Sequence, residues 1–462
     1  MTTSIWTGAE ATPAEGLAQD TLVVSGPARL RGHVDVSGFK HSLVTIVGAA
    51  CTANAPLMVT NCPALVETDV LADVLRDLGG VAHRGIGSLV VDAAGITSAE
   101  SFTVAAERIH GSVYLVPGLL ARLGEVAIPT DGGCRIGDSA EGKRPIEQYL
   151  SVLERFGAVV DADRAGNPRI LATAGLRGCE IDLLDYTAIR PLRTGPLYSG
   201  ASKMAILCAA VAHGTSLLHN PYPKPDVTDL ITVLSEFGAD IETTLTGSLV
   251  IHGRGPAALD QPVLHRLLPD LIEVVTWVAA GALSADGPLR IRGAGLSRAW
   301  AALRPEREVF DRMGIGLDST ANELIVHPAE TLRPAEIVVT SPGIYSDCHP
   351  FFALLACLAE GTTTIRETVW PKRFGYVAGM RDLGVQLTAG DGAVEIAGVR
   401  PPQVADRVVH APDLRAAAVL LLAALRVPGR TVVTGTHHLA RGYPDLVGSL
   451  RGLGARIEEE DR

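Results

Sequence analysis

The 462-residue chain has few aromatic residues, no paired cysteine pattern and no excess of positive charge, and each deficit narrows its class. Aromatic residues make up only 4% of the chain against 47% for all hydrophobic residues, so its cores must be aliphatic. Seven cysteines, scattered singly, give no disulfide or zinc pattern and favour a reducing, cytoplasmic setting. A net charge of −11 argues against general nucleic-acid binding, although clustered cations could still bind a small anion.

Long apolar runs and a leader-like N-terminus are also missing. The strongest apolar stretches, such as 416–425, have the length of a buried helix rather than of a membrane span. Residues 1–20 lack a basic start followed by an apolar core, so we expect a flexible tail and not a secretory signal. The length predicts two or three domains. The short apolar runs and the acidic net charge predict no membrane partner and no nucleic-acid partner.

An internal repeat is the clearest organising feature. Six segments end in a bulky apolar residue followed by a glycine, and these glycines are spaced 70 to 81 residues apart: Gly79, Gly157, Gly238, Gly314, Gly384 and Gly454. A glycine in that place predicts a left-handed helix C-cap. Each unit alternates helix and strand and is too long for a short solenoid repeat. Six units divide naturally into two lobes of three, with a cleft between them that suits a ligand.

Four stretches, in this order along the chain, carry a family resemblance: VDVSGFKHSLVTIVGAA (34–50), IPTDGGCRIG…KRPIEQ (128–148), SDCHPFFALLACLAEGTTTIRETVWPKRF (346–374) and APDLRAAAVLLLAAL…LARGYPDLVGSLRGLGA (411–455). Together they resemble the UDP-N-acetylglucosamine enolpyruvyl transferases, from about residue 21 onward. The resemblance implies an α/β (α+β) fold, a two-lobed inside-out α/β barrel with three βαβαββ units per lobe. It also implies one lobe from residues 21–37 and 253–462, and another from residues 38–252.

The resemblance implies a reaction as well. The enolpyruvyl (1-carboxyvinyl) group of phosphoenolpyruvate moves to a hydroxyl of a uridine nucleotide sugar and phosphate is released, by addition and elimination through a tetrahedral ketal. The family uses no metal or organic cofactor. Such a reaction needs a base for the hydroxyl proton, an acid for the methylene carbon, and cations for the phosphate and carboxylate.

Two residues match the family's proton-transfer positions. Cys134 matches the loop cysteine that acts at phosphoenolpyruvate as proton donor or adduct former, and nearby Arg135, Lys143 and Arg144 would lower its thiol pKa. Asp347 matches the aspartate beside the acceptor hydroxyl, the candidate base. Each has a plain alternative: Cys134 could be an ordinary loop cysteine, and Asp347 could cap the apolar helix that follows it.

Two cations match positions that hold phosphoenolpyruvate, and two more are candidates for the same anion. Lys40 matches the lysine that contacts phosphoenolpyruvate and closes the site, and Arg415 matches an arginine that binds its carboxylate. Arg144 and Arg373 are further candidates for the same anion. The alternatives are a surface lysine at 40 and a solvated first-turn charge at 415, although a cation is disfavoured at a helix N-terminus.

The nucleotide positions are matched in two places. Arg144, Pro145, Ile146 and Glu147 resemble the family's Arg-Pro-Val-Asp, which cradles the uridine and its phosphate, and Glu147 could accept from the uracil imide. An ordinary helix start with proline in the first turn is the alternative. Ser199 and Gly200 stand where the family has its phosphate loop, although the stretch YSGASK (198–203) is one residue longer than that loop; the two form a second candidate contact.

Several positions depart from the family. His41 replaces an asparagine that helps to recognise the sugar, His110 replaces an arginine near the phosphates, which Arg108 could partly replace, and Trp370 replaces a smaller residue or phenylalanine. The cysteine loop is also longer, through residues 138–142. Because most departures fall on the sugar and diphosphate side, we predict an unchanged donor and a changed acceptor.

The predicted acceptor is UMP, through its ribose 3′-hydroxyl, as in the specialised enolpyruvyl transferases of nikkomycin- and polyoxin-type antibiotic biosynthesis. The 3-hydroxyl of UDP-N-acetylglucosamine, used in the first committed step of peptidoglycan synthesis, remains an alternative. A non-catalytic nucleotide-binding protein on the same scaffold is another. The shikimate-pathway enzyme shares the fold, but it lacks the loop cysteine and has a Gly-Ser-Lys-Ser type stretch in place of SGFKHS. The oligomeric state is not predicted.

Overall fold

The computed structural model describes residues 20–128, 144–162, 166–398 and 402–460. The tail predicted over residues 1–20 lies outside these ranges except for Asp20, and so does the loop that carries Cys134. Within the described ranges, no helix is long and apolar enough to cross a membrane.

Short strands make up the outer part of the molecule. In chain order they are β1 (Thr21–Gly26), β2 (Leu30–Asp35), β3 (Leu57–Thr60), β4 (Val81–Gly85), β5 (Ser88–Asp92), β6 (Glu125–Ala127), β7 (Val159–Ala162), β8 (Pro168–Leu171), β9 (Glu180–Asp182), β10 (His213–His219), β11 (Asp240–Thr243), β12 (Leu249–Arg254), β13 (Val263–Arg266), β14 (Ala285–Arg292), β15 (Leu317–Ser319), β16 (Glu323–Val326), β17 (Glu336–Val339), β18 (Thr362–Glu367), β19 (Gln386–Gly390), β20 (Ala393–Ala397), β21 (Arg407–His410), β22 (Gly429–Thr434) and β23 (Arg456–Glu459).

Helices alternate with these strands. The α-helices are α1 (Lys40–Thr52), α2 (Val66–Asp77), α3 (Phe102–Ala106), α4 (Val116–Leu123), α5 (Glu147–Arg155), α6 (Tyr198–Val211), α7 (Pro225–Glu236), α8 (Leu271–Ser284), α9 (Leu296–Ala302), α10 (Arg304–Met313), α11 (His349–Ala356), α12 (Val377–Asp382), α13 (Leu414–Ala424) and α14 (Leu446–Gly452). Short 3-10 helices cover His110–Leu115, Leu183–Tyr186, Arg190–Leu192, Pro256–Ala258 and Thr436–Arg441.

The described strands form six sheets, and five of these sheets share one pattern. Five have four strands, in the orders β21-β22-β1-β23, β11-β12-β10-β9, β13-β3-β5-β4, β15-β16-β14-β2 and β17-β18-β20-β19, and the sixth is β6-β8-β7. In each four-stranded sheet one outer pair is parallel and the other pairs are antiparallel, as in β17 with β18 and β18 with β20. A parallel pair needs a crossover, and α11 supplies it between β17 and β18.

The orders β17-α11-β18-α12-β19-β20 and β9-α6-β10-α7-β11-β12 are βαβαββ units, and the six described sheets agree with the predicted six-unit α/β architecture. The crossover helices lie inside, because they are apolar on every side. Every residue of α13 is buried, and so is every residue of α8. The chain is therefore an α/β protein with helices inside and sheets outside, which is the inside-out arrangement expected from the resemblance.

The glycines predicted to end the repeat helices do so. Their φ angles lie between 86° and 108°, in the left-handed region that favours glycine: Gly79, Gly157, Gly238, Gly314, Gly384 and Gly454. Each follows the last turn of a helix and precedes the outer hairpin or strand of its unit, so one backbone feature fixes the same turn six times.

Buried apolar side chains form two hydrophobic clusters. One contains residues between 22 and 39 and between 271 and 457, and the other contains residues between 43 and 267. The lobes predicted as 21–37 with 253–462, and 38–252, follow the same division, and their bounds remain a proposal. Strand β13 pairs with β3 and so lies with the lobe of residues 38–252. We therefore propose that the chain returns to the other lobe at residues 267–270 and not at residue 253.

Candidate active site

The site begins where the chain passes between the two lobes. Here the backbone N–H of Lys40 donates to Asp270 (3.1 Å), whose side chain also caps α8. Gly38 makes the passage possible, since a Cβ there would lie 1.9 Å from the carbonyl oxygen of Asn61. The SGFKHS motif thus places Lys40 and His41 in the first turn of α1, at the edge of a cavity between the lobes.

Lys40 is not a surface lysine. Its Nζ donates to Glu67 Oε1 (2.8 Å) and to the carbonyl oxygen of Arg441 (2.6 Å), and its side chain is 15% exposed. Arg441 Nη2 also reaches Glu67 Oε1, at 3.3 Å. The sequence analysis missed Glu67 and Arg441, although Arg441 lies in the LARGYP stretch that carries the resemblance. The three residues join the lobes by a charged contact at the cavity edge.

Asp347 does not cap a helix, because α11 begins after it and has Cys348 at its N-cap. Its Oδ1 accepts from Arg373 Nη2 (3.0 Å) and from Arg415 Nε (2.9 Å). Burial alone would raise the pKa of Asp347, but Arg373 and Arg415 outweigh it and hold that pKa well below its usual value. Arg415, in the first turn of α13, is 4% exposed, so it is not a solvated charge.

Glu367, which the sequence analysis missed, holds the loop that carries Trp370 and Arg373. Its Oε1 accepts from the backbone N–H groups of Val369 (2.6 Å) and Trp370 (3.0 Å). Its Oε2 accepts from Ser346 Oγ (2.8 Å), and Arg373 Nη1 donates to the same hydroxyl (3.1 Å). One buried carboxylate at the end of β18 therefore fixes the loop that presents Trp370 and Arg373.

The Arg144–Glu147 segment lies at the junction of two cavities. Helix α5 begins at Glu147, with Ile146 at its N-cap and Pro145 outside the helix, so proline is not in its first turn. Arg144, Pro145 and Trp370 line both the central cavity and an adjoining side cavity of about 430 Å³, and Glu147 lines the side cavity alone. Ile146 lines neither cavity and packs against the hydrophobic cluster of its lobe.

Ser199 and Gly200, in the first turn of α6, form another wall. A Cβ on Gly200 would lie 2.8 Å from the ring of Tyr149, so glycine allows Tyr149 to cover the helix start. Tyr149 Oη is hydrogen-bonded to His110 Nε2 (3.0 Å). Burial, with smaller contributions from Arg144 and Lys203, lowers the pKa of His110 to about 3. His110 is therefore neutral, and the permanent cation of the family is absent at this position.

A buried ion pair restores a cation to this wall. Lys203, one turn along α6, forms a direct salt bridge with Asp226 on α7, and the two side chains are 8% and 2% exposed. The Lys203 ammonium also lies 5.7 Å from the ring centroid of Tyr114. Arg108, the replacement considered from the sequence, does not line the cavity and instead approaches Asp73 (3.4 Å). A lysine within an otherwise apolar, alanine-rich helix was the sequence signal for Lys203.

The central cavity is cationic in an acidic protein. Among the described lining residues there are six permanent cations and four carboxylates, namely Lys40, Arg144, Lys203, Arg373, Arg415 and Arg441 against Glu67, Asp226, Asp347 and Asp413. The Nε–H groups of Arg144, Arg373 and Arg441 are buried and have no hydrogen-bond partner within the described ranges. Because a buried unpaired donor is costly, these groups are candidate contacts for an anionic ligand.

Most of the sequence-predicted residues meet in this one cavity. Its lining includes Lys40, His41, His110, Arg144, Pro145, Ser199, Gly200, Asp347, Trp370, Arg373 and Arg415. Cys134 lies outside the described residues, so its role stays a prediction. Of the described residues, none forms a group of three or more histidine, cysteine or acidic side chains suited to a metal ion.

Comparison with known proteins agrees with this fold and site. The profile of the EPSP synthase (3-phosphoshikimate 1-carboxyvinyltransferase) family matches residues 24–450. The chain thus belongs to this family of enolpyruvyl (carboxyvinyl) transferases, as the resemblance predicted. It is 32% identical over 443 residues to UDP-N-acetylglucosamine 1-carboxyvinyltransferase 1 of Staphylococcus aureus, with 95% of this chain and 99% of the relative covered.

Other relatives add detail. The chain is 30% identical over 442 residues to a UDP-N-acetylglucosamine 1-carboxyvinyltransferase of Trichlorobacter lovleyi, with 95% and 99% coverage. The crystal structure of the enolpyruvyl transferase NikO from Streptomyces tendae superposes with a TM-score of 0.90 at 48% identity, covering 96% of this chain and 99% of that one. EPSP synthase from Acinetobacter baumannii, at 17% identity, with a TM-score of 0.71 and 96% and 100% coverage, shares the fold alone.

Proposed function

We propose that the protein transfers the enolpyruvyl group of phosphoenolpyruvate to the 3′-hydroxyl of UMP and releases phosphate. The observation that carries the donor assignment is the set of unpartnered, buried guanidinium N–H groups of Arg144, Arg373 and Arg441. Phosphoenolpyruvate brings a carboxylate and a phosphate, and both accept charge-assisted hydrogen bonds from arginine. In the proposal, Arg373 and Arg415 hold the carboxylate, while Lys40 and Arg144 hold the phosphate.

The reaction moves protons at two atoms near these cations, the acceptor oxygen and C3 of phosphoenolpyruvate. In the addition step the acceptor oxygen bonds to C2 of phosphoenolpyruvate and loses its proton, while C3 gains a proton from Cys134. In the elimination step the phosphate leaves with the C2–O electron pair and C3 returns a proton to the Cys134 thiolate, which restores the double bond. Asp347 lies beside the acceptor hydroxyl in this scheme. The guanidinium groups stabilise the charge that develops on the phosphate.

The acceptor assignment rests on the shape and charge of the other walls. The central cavity is only about 210 Å³, below the usual range of roughly 300–1,000 Å³ for a larger ligand. An acceptor that reacts beside Asp347 must therefore extend into the side cavity, where Pro145 and Glu147 offer a flat apolar face and a carboxylate for uracil. Trp370 lines both cavities, and in the proposal its side chain fills space that a hexose would need.

The phosphate of the acceptor has its own proposed partners. Lys203 supplies the cation, and the first turn of α6, through Ser199 and Gly200, supplies backbone N–H groups at a helix N-terminus. His110 is neutral and held by Tyr149, so Lys203 is the cation that we assign to this wall, with Arg144 nearby but assigned to phosphoenolpyruvate. That provision fits one phosphate group better than the diphosphate of a sugar nucleotide. The identity of 48% to the enolpyruvyl transferase NikO exceeds the 30% and 32% to the relatives named for UDP-N-acetylglucosamine, which supports an acceptor other than that sugar nucleotide.

A second acceptor is supported by a separate observation. The relatives from Staphylococcus aureus and Trichlorobacter lovleyi are named for UDP-N-acetylglucosamine, and they align over 95% of the chain. Transfer to that acceptor, in peptidoglycan synthesis, is therefore the alternative proposal. In either case we propose a cytoplasmic enzyme, since the six described cysteines are all free thiols, as expected in a reducing compartment.

Phosphate release measures the proposal directly. The protein is incubated with phosphoenolpyruvate and, separately, UMP, UDP-N-acetylglucosamine and shikimate 3-phosphate, and products are weighed by mass spectrometry. We expect turnover with UMP and with 2′-deoxy-UMP, and none with 3′-deoxy-UMP, because only the last lacks the reacting hydroxyl. Turnover restricted to UDP-N-acetylglucosamine would transfer the assignment to the alternative. Nucleotide binding without turnover on any acceptor would instead favour a binding protein.

A further inference from the structure

His41 has an unusual setting for a histidine at the edge of a charged cavity. It is the second residue of α1, directly after Lys40, and its imidazole lines the central cavity. The ring centroid lies 5.2 Å from that of Phe39 and 6.5 Å from that of Tyr345. These two buried aromatic side chains hold the ring in place without engaging its nitrogens. Within the described part of the chain, no hydrogen bond to either ring nitrogen is present.

Asp347, the other candidate base, accepts two hydrogen bonds from arginine side chains, whereas the His41 ring forms none with the described residues. One of its oxygens receives both Arg373 (3.0 Å) and Arg415 (2.9 Å), and these guanidinium groups keep the carboxylate strongly acidic. A strongly acidic carboxylate is a weak proton acceptor, because base strength falls as the pKa falls. Asp347 retains a second oxygen that can accept a hydrogen bond from a hydroxyl and so orient it.

The charges around His41 leave it uncharged but close to carboxylates. Burial lowers the pKa of His41 below its ordinary value of 6.5, and Lys203 acts in the same direction. Asp347, Asp226 and, more weakly, Asp270 oppose that shift. The groups facing the ring therefore come from each neighbouring element: Asp347 before α11, Asp226 on α7, Lys203 on α6 and Asp270 before α8. A neutral imidazole beside carboxylates can accept a proton, and the resulting cation is stabilised by them.

We propose that the His41 imidazole takes the proton of the acceptor hydroxyl, while Asp347 orients that hydroxyl. This inference rests on the proposed function, since it needs an acceptor hydroxyl beside Asp347. In the addition step the O–H bond breaks toward a ring nitrogen as the oxygen bonds to C2 of phosphoenolpyruvate, and the C2–C3 π pair takes a proton from the acid at C3. In the elimination step C3 gives a proton back to that acid as the double bond re-forms, and the imidazolium gives its proton to the departing phosphate, so His41 ends the cycle neutral.

The pH profile of kcat tests the inference. Wild-type protein and His41→Asn are assayed with saturating phosphoenolpyruvate and acceptor from pH 4.5 to 9. A base must be unprotonated, so wild-type kcat should fall as the pH drops through the lowered His41 pKa, below 6.5. His41→Asn should lower kcat at pH 7.5 by about 100-fold, with little change in KM, and should lose this acid limb. Substrate ionisation is the same for both proteins and so cancels in the comparison.

Two further variants keep the outcome clear. His41→Ala should regain activity in proportion to added imidazole, which a merely structural histidine would not allow. His219→Asn is the matched control, because that ring binds Ser248 (3.2 Å) and Glu180 (2.9 Å) outside the cavity; it should leave kcat and the pH profile unchanged. If His41→Asn is poorly folded by circular dichroism, His41→Gln and imidazole rescue of His41→Ala carry the test.

The possible failures are distinguishable. Wild-type protein that turns over no acceptor would remove the proposed function itself. Wild-type turnover with an unchanged kcat or an unchanged acid limb in His41→Asn, or without imidazole rescue of His41→Ala, would leave the reaction standing and overturn the role of His41. Loss of acceptor affinity with kcat preserved would make His41 a binding residue and would also contradict the inference.

Discussion

The buried Lys203–Asp226 pair allows stability and acceptor binding to be separated in one experiment. The two side chains are 8% and 2% exposed and form a direct salt bridge, and no described residue hydrogen-bonds to Asp226 Oδ1. Lys203→Met would leave a buried carboxylate without its cation. Breaking a buried pair from one side costs about 3–5 kcal/mol, because the remaining charge is uncompensated. We therefore expect Lys203→Met and Asp226→Leu each to lower the free energy of unfolding by that amount.

Removing both charges should restore most of this loss. A well-packed apolar replacement for a buried ion pair is often neutral or stabilising, so the Lys203→Met/Asp226→Leu double variant should be within about 2 kcal/mol of wild type. Urea unfolding followed by circular dichroism measures all four proteins, and the double-mutant cycle isolates the interaction. In Lys203→Met the pKa of Asp226 is no longer held down, so that variant should become relatively more stable as the pH falls.

Acceptor binding should respond differently from stability. A hydrogen bond to a charged group contributes about 1.5–3 kcal/mol, so losing Lys203 should raise the KM for UMP by about 10- to 150-fold. The double variant should keep this raised KM despite its recovered stability, with the KM for phosphoenolpyruvate nearly unchanged. Additive single losses would refute the reasoning about the buried pair. A double variant with wild-type stability and wild-type KM would refute the acceptor role of Lys203.

Three other predictions concern neighbouring groups. Burial raises the pKa of Glu273 to about 7, above about 4.5 in the unfolded chain, so the native state holds an extra proton between these pH values. The free energy of unfolding should therefore fall by about 3 kcal/mol as the pH rises from 4.5 to 7. Urea unfolding at pH 5 and pH 8 should show this decrease in wild type and its loss in Glu273→Gln. Gly200→Ala would force Tyr149 away from His110 and should raise the acceptor KM about tenfold, while Gly452→Ala, where a Cβ would meet no atom within 4 Å, should leave it unchanged. Trp370→Val should increase kcat/KM for UDP-N-acetylglucosamine relative to UMP by about tenfold or more in competition assays, and an unchanged ratio would contradict the space-filling role of Trp370.

The repeat was predictable because its signal is local. A glycine after an apolar helix end is needed wherever the chain must turn through a left-handed residue, and all six positions adopt that conformation. The interior helices were predictable for a similar reason, since a stretch such as α13 has no polar face to expose. The pairing of β13 with β3 could not be predicted in this way, because the two strands are some two hundred residues apart in the chain.

The candidate site was predictable where a motif carried it. Arg373 and Arg415 were identified by resemblance, and the structure adds that both bind one oxygen of Asp347. Lys203 and Glu367 were missed because their importance depends on partners that are distant in the chain or on backbone groups that have no sequence signature. Cys134 remains a prediction.

The sequence by itself determined the six units, their helix ends, the apolar interior and the family, because these depend on local backbone preferences, periodicity and short motifs. The tertiary structure alone decided which charges are free to act. It neutralises His110, ties Asp347 to two arginines and brings Lys203 against Asp226, while the ring of His41 keeps no hydrogen bond from a described group. Charge in a cavity depends on burial and on neighbours within a few ångströms, and neither can be deduced from the order of residues.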